Sequence, residues 1–291
     1  MAPVACYGSA PSYDDEAQLS DAVLLATRRS NYWLAWHDLI DASRHWRLIL
    51  HLSWQDVRQR YRRSALGPLW LTVSVAVQIG SLGLVYGELF HLDLKVYLPH
   101  LAVGLTVWAM FATTINDGCL CFISAESFLK QVALPKGIFP ARVVLRSMIT
   151  FAHDVVILVI VLAIYSPPSI LGVLASLMGI AIFAFNGLWI GLLFGLLSAR
   201  FRDLAPIVGS VMQVAFFLTP VIWLESSIHG RTAELLQLNP FAAFLSIVRD
   251  PLFGLAPTPQ SWAIVALVTV LGWIVAFLMF ARFRGRITYW L

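Results

Sequence analysis

Long apolar runs separated by short polar breaks fill most of the chain after residue 67. Six runs are long enough to cross a bilayer as helices, at approximately 68–90, 98–122, 142–165, 170–197, 206–224 and 261–281; crossing takes about 20 helical residues. The breaks differ in kind. "HLDLK" follows the first run, "ISAESFLKQVALPKGIFPAR" separates the second from the third, "SPPS" makes a tight turn after the third, and "ARFRDLAP" follows the fourth. Between the fifth and sixth, "AELLQL" and "FAAFLSIV" are apolar but too short to span. Asn239-Pro240 and Asp250-Pro251 interrupt this segment, so short re-entrant helices are expected there. The expected fold is all-α and membrane-integral, with six transmembrane helices.

Polar patterning dominates before residue 67. Residues 1–30 show no periodicity and read as a disordered tail with no apolar leader segment; residues 31–66 mix aromatic and charged positions and read as an amphipathic interface region. Within it, 53–65 predicts a surface helix. Ser53 is its expected cap, Asp56 lies in the first turn, and Trp54, Val57 and Tyr61 form the apolar stripe. Gln55, Arg58, Gln59, Arg62 and Arg63 cover most of the remaining surface, and Gly67-Pro68 bends the chain into the first span.

Composition agrees with a membrane chain. Hydrophobic residues make up 59% and charged residues 12%, against about half and a quarter in soluble domains. The net charge of +4 therefore says little about nucleic acid, and no recognition fold surrounds the basic run. With both ends on one side, that side collects 17 of the 20 Lys and Arg residues, leaving Lys95, Arg231 and Arg249 opposite. Both termini are expected in the cytoplasm. Cys119 and Cys121 lie in an apolar run without His or Cys partners, so buried small residues are expected rather than a metal site.

At this point the sequence resembles ABC-2-type polysaccharide export permeases, which move O-antigen, capsule or teichoic-acid chains. The resemblance runs in order through "RQRYRRSALGPLW", "FLKQVALPKGIFP" (128–140), "ARFRDL" (199–204), "FFLTPVIW" (216–223), "NPF…IVRDPL" (239–252) and "RITYWL" (286–291). It covers roughly residues 50–291. The chain has no Gly-x-x-x-x-Gly-Lys-Ser/Thr loop; Lys136-Gly137 stand in the reverse order. The resemblance therefore implies a transport subunit rather than an enzyme: a homodimer working with two copies of a separate P-loop ATPase that carries the ATP and Mg. Membrane lipids and a lipid-linked polysaccharide are the other expected partners, in a bacterial inner membrane.

The resemblance also gives roles to residues. A short helix at 124–136, capped by Ser124 and ended by Pro135, is the expected coupling element, through Glu126, Phe128, Leu129, Lys130 and Val132. Arg200, Arg202 and Asp203 in the neighbouring turn either join it or pair locally. Trp54, Arg58, Tyr61, Arg62 and Arg63 belong to the interface or gate helix. Spans one and five are expected to line the conduit, with Gln78, Tyr86, Gln213, Phe216 and Phe217 as its residues. Asn186, Asp117 and Asp154 are further polar groups at membrane depth, which either serve the path or join helices. Trp70, Trp108, Trp223 and Trp262 are expected in an aromatic belt. Export of a small lipid or drug, a membrane transferase acting on lipid-linked sugars and a carboxylate-coupled secondary transporter are the competing readings.

Overall fold

The computed structural model describes residues 31–60, 69–225, 230 and 236–291, and among these every regular element is helical. In chain order they are α1 (31–44), α2 (Trp46–Arg60), α3 (Leu69–Leu89), α4 (Leu94–Cys119), a 3-10 turn (Ile123–Ala125), α5 (Glu126–Gln131), α6 (Ile138–Tyr165), α7 (Ile170–Arg200), α8 (Leu204–Leu218), α9 (Pro240–Leu252), α10 (Pro259–Phe283), a second 3-10 turn (Arg284–Arg286) and α11 (Ile287–Trp290). Among the described residues five helices, α3, α4, α6, α7 and α10, are long and apolar enough to cross a membrane.

The run expected as a fifth span at 206–224 is a helix of 15 residues, α8. At 1.5 Å per residue it rises about 22 Å, short of the roughly 30 Å hydrocarbon core. Pro220 supplies the reason. A residue before proline is pushed out of helical backbone, and Thr219 is extended at φ −100, ψ 140. The helix stops there although the sequence stays apolar.

α4 is the centre of the bundle, packed by α3, α6, α7, α8 and α9. It is buried along most of its length from Tyr97 to Cys119. Asp93 caps its start by accepting from the Lys95 amide at 2.9 Å. Close approach to α7 depends on small residues. A methyl group built on Gly118 would lie 3.3 Å from the Cα of Gly191, and one on Gly195 would lie 3.0 Å from the Gly118 carbonyl.

α9 lies against α7 and α10, and Ser176 of α7 donates to the Val248 carbonyl at 2.6 Å. Its Arg249 is buried and donates to the Pro220 carbonyl at 2.7 Å and to Glu225 at 2.5 Å. Tyr97 donates to the Ile222 carbonyl at 2.9 Å. The turn after α8 is thus tied to α4 and α9. Residues 90–93, 166–169, 219–225 and 253–258 make this end of the bundle. The opposite end carries α2, α5 and the arginines around 142, 200 and 284, and is the basic end.

Candidate functional site

α2 is clamped to the basic end by an ion network. Arg142 of α6 holds Asp56 through two hydrogen bonds, one of them from Nε at 2.7 Å. Arg146 reaches both Asp56 at 3.1 Å and Asp117 of α4 at 2.9 Å. These side chains are 11–21% exposed, so the charges are partly desolvated and depend on one another. Asp117 therefore joins α4 to α6 and, through Arg146, to α2.

This network corrects the expected surface helix. Ser53 is no cap: it sits inside a continuous α2, buried, donating to the Ile49 carbonyl at 2.7 Å and the Arg142 carbonyl at 3.0 Å. Asp56 serves α6 rather than a first turn. The face packed on the domain is Ile49, Ser53 and Val57, while Trp54 points away with Trp46 and Leu50 at spacings of four. Arg58 is exposed. Tyr61, Arg62, Arg63 and the Gly67-Pro68 bend lie outside the described residues.

The expected coupling helix is shorter than its sequence suggested. α5 ends at Gln131, and Val132 is already extended, three residues before Pro135. Ser124 bonds back to the Cys121 carbonyl at 3.3 Å and does not cap it. Leu129 is buried against the domain, whereas Phe128 and Val132 project outward at 42% and 50% exposure. Glu126 accepts from Lys130 at 2.6 Å, and this hydrogen bond, ahead of the lysine's charge, holds its carboxyl below the ordinary range. Arg200 sits with its guanidinium 5.2 Å from the Trp290 ring. No ion pair joins Arg200 or Arg202 to Asp203 among the described residues.

α1 and the C-terminal turn close the same end. Asp38 is buried and accepts from the Gly137 amide at 3.1 Å and from Arg284 at 2.8 Å. Lys136 donates to the Arg284 carbonyl. Its amine is held below the ordinary lysine range, first by burial and then by the charge of Arg284, with Asp38 acting the other way. This contact between 38, 137 and 284 had no sequence signal, because nothing local marks Asp38 as buried.

The expected conduit residues fall on two helices that stand apart from the rest. Within α6, α7 and α10, the exposed positions away from the helix ends are all apolar. α3 instead exposes Ser74, Gln78 and Ser81, spaced at one face, and α8 exposes Ser210 and Gln213. The serines return their hydroxyl hydrogens to the preceding turn, Ser74 to the Trp70 carbonyl at 2.8 Å and Ser210 to that of Pro206 at 3.1 Å. Neither glutamine amide makes a hydrogen bond among the described residues. An amide left facing lipid costs several kcal/mol by water-to-alkane transfer, about 4–8, so these faces suit water, a polar cargo or a second copy.

Phe217 is 70% exposed on the same helix, while Phe216 is half-buried against Trp108 at 5.6 Å between ring centres. Tyr86 is half-buried beside Phe90. Trp108 itself is interior, packed on Phe111 and Phe241, and is no belt residue. Asn186 is spent between helices, donating to Thr269 of α10 at 2.9 Å and accepting from Trp189 at 2.7 Å. Asp154 lies on the buried face of α6, and its Oδ1 has no hydrogen-bond partner among the described residues.

A sequence model of the ABC-2 type transporter family matches residues 47–253. The chain belongs to this family. Two similar curated proteins are the O-antigen export system permease RfbA of Klebsiella pneumoniae, 26% identical over 211 residues (70% of this chain and 79% of that one), and RfbA of Myxococcus xanthus, 26% identical over 206 residues (68% and 77%). The ABC-2 chain is thus a multi-pass transport subunit without a catalytic domain, of a kind that pairs with ABC ATPase subunits. The matched region contains the Asp56–Arg142–Arg146–Asp117 network. The Asp38–Arg284 contact joins the two flanking segments outside it.

Proposed function

We propose that this ABC-2 permease forms a homodimer that, with two copies of an ABC ATPase, exports a lipid-linked polysaccharide of the O-antigen kind across the bacterial inner membrane. The carrying observation is the exposed amide pair, Gln78 and Gln213, on α3 and α8. A polyhydroxylated chain needs donors and acceptors along its path, and these two helices alone among the membrane-length and α8 faces offer them away from helix ends. In the dimer the two faces border the path, and α8 with its following turn completes the sixth crossing. The likeness to O-antigen export permeases supports this cargo, and a small lipid or drug has less use for exposed amides.

The basic end faces the cytoplasm in this reading, following the positive-inside rule. Phe128 and Val132 seat in the ATPase, which binds ATP and Mg. Because Leu129 anchors α5 and the ion network ties α2 to α4 and α6, a push on α5 moves a rigid body rather than a loose loop.

The test is reconstitution with the ATPase in proteoliposomes, following ATP-dependent movement of lipid-linked glycan. Phe128→Asp with Val132→Asp leaves insertion intact and abolishes coupled export; normal export in that variant removes the coupling role. Transport without ATP, or no complex with a P-loop ATPase, overturns the reading as a whole.

A further inference from the structure

The end of the bundle away from the arginines holds a cavity of about 170 Å³, separate from the exposed faces of Gln78 and Gln213. Its walls include Trp223, Glu225, Gln237, Asp250, Gln260 and Ser261. Pockets that bury drug-sized ligands run to roughly 300–1,000 Å³, so this one has room for a single ring or chain end.

Its polar groups are of a particular kind. Two amides each offer both a donor and an acceptor, a hydroxyl can do either, and two carboxylates accept. The carboxylates do not stand alone. Buried Arg249 stands behind them, donating from Nη2 to Glu225 at 2.5 Å, with its Nε 3.6 Å from Asp250. Ser246 donates to the other Asp250 oxygen at 2.5 Å, which fixes that side chain. The guanidinium offsets one of the two carboxylate charges and ties both side chains in place, leaving an ordered set of hydrogen-bonding groups with one net negative charge. An indole completes the wall, and its ring face suits the apolar C–H face of a pyranose. Vicinal hydroxyls, which donate and accept in fixed directions, match such a set of amides, hydroxyl and carboxylates; an apolar molecule does not.

Position adds a second argument. The Trp223 indole donates to the Phe217 carbonyl at 3.1 Å, in the last turn of α8. The cavity therefore adjoins the end of the helix whose exposed face carries Gln213 and Phe217. We infer that it is a binding site for one neutral, hydroxyl-rich sugar ring, met by the polymer as it leaves α8. Its placement on the exit side rests on the export reading; its preference for a sugar rests on the cavity's own chemistry.

Binding is measured on the full chain in lipid nanodiscs by saturation-transfer-difference NMR with the methyl glycosides of glucose, galactose, mannose and N-acetylglucosamine. At least one glycoside shows transfer to its ring protons, saturating with a Kd of about 1–10 mM. The exposed pair Gln237→Ala with Gln260→Ala lowers that signal at least fivefold, while Leu267→Ala, on the exposed apolar side of α10, leaves it unchanged. Absence of transfer from all four glycosides, equal transfer in the Gln237/Gln260 variant, or displacement of the glycoside by calcium overturns the assignment. Sugar binding without ATP-driven glycan export keeps the site and removes the export reading; export with no glycoside binding does the reverse.

Discussion

Polar side chains in the long apolar helices fall into two sets. In α4, α6, α7 and α10 most are turned inward and partnered: Asp117 with Arg146, Thr114 with Ser147 at 2.7 Å, and Asn186 with Thr269 and Trp189. In α3 and α8, Gln78 and Gln213 are turned outward and bond to nothing described. The first set holds one copy together. The second makes no hydrogen bond among the described residues, and an exposed amide on an apolar helix calls for a polar partner.

The largest stability effect is expected where a partner is removed from the inward set. Arg146→Met leaves Asp56 and Asp117 short of a charge, and breaking a pair of this burial costs about 3–5 kcal/mol. A large drop in melting temperature in detergent, accompanied by loss of export, is the expected result. If Gln78→Met costs as much, the two sets are one.

The next effect separates outward faces from each other. Arginine in place of Leu271, exposed at the middle of α10, costs about 3–4 kcal/mol of membrane insertion. Gln78→Arg, at the same depth on α3, inserts normally. Membrane-integrated yield of the two variants checks this, and equal yields would erase the distinction between lipid-facing and path-facing surfaces.

Leucine substitutions give a smaller and sharper contrast. Asn186→Leu removes interhelical bonds and costs about 0.6–1.7 kcal/mol with export reduced only in proportion to folded protein. Gln78→Leu changes stability by less than about 0.5 kcal/mol, yet slows glycan export several-fold per folded dimer. Thermal melts and export rates measured on the same preparations decide it.

The smallest effect concerns pH. Lys136 sits below its ordinary pKa in the fold, so the unfolded chain binds the proton more tightly. Stability therefore rises as pH climbs through the folded value and levels off near the unfolded one, about 10.4. Lys136→Met flattens that slope between pH 7 and 10; an unchanged slope assigns it to other groups.

Much of the architecture was legible because hydropathy measures what a bilayer selects. Spans at 170–197 and 261–281 are α7 and α10 with a few more residues, and the first run at 68–90 corresponds to α3. The fifth run outlasts its helix because hydropathy does not register backbone: Thr219 and Pro220 are acceptable to lipid but not to a helix. Local capping rules misplaced Ser53, since a serine spaced to cap one helix can equally bond back inside a longer one. The Trp54–Val57–Tyr61 stripe divides: Val57 packs on the domain, Trp54 faces away, and Tyr61 lies outside the described residues. An interface helix has two apolar faces, and Ile49–Val57 rather than Trp46–Trp54 meets the protein. Gln78 and Gln213 were visible as polar residues in apolar runs, but their outward direction came only with the packing. The clamp of Asp38 on Arg284 was invisible, because it joins residues 246 positions apart.

That separation has a consequence for biosynthesis. Asp38 is translated long before Arg284, and at about 5–20 residues per second the 246 residues between them take roughly 12–50 s to make. For that interval α1 has the start of α6, where the Gly137 amide meets Asp38, but not Arg284, and nearly every span has entered the membrane before that second clasp can close.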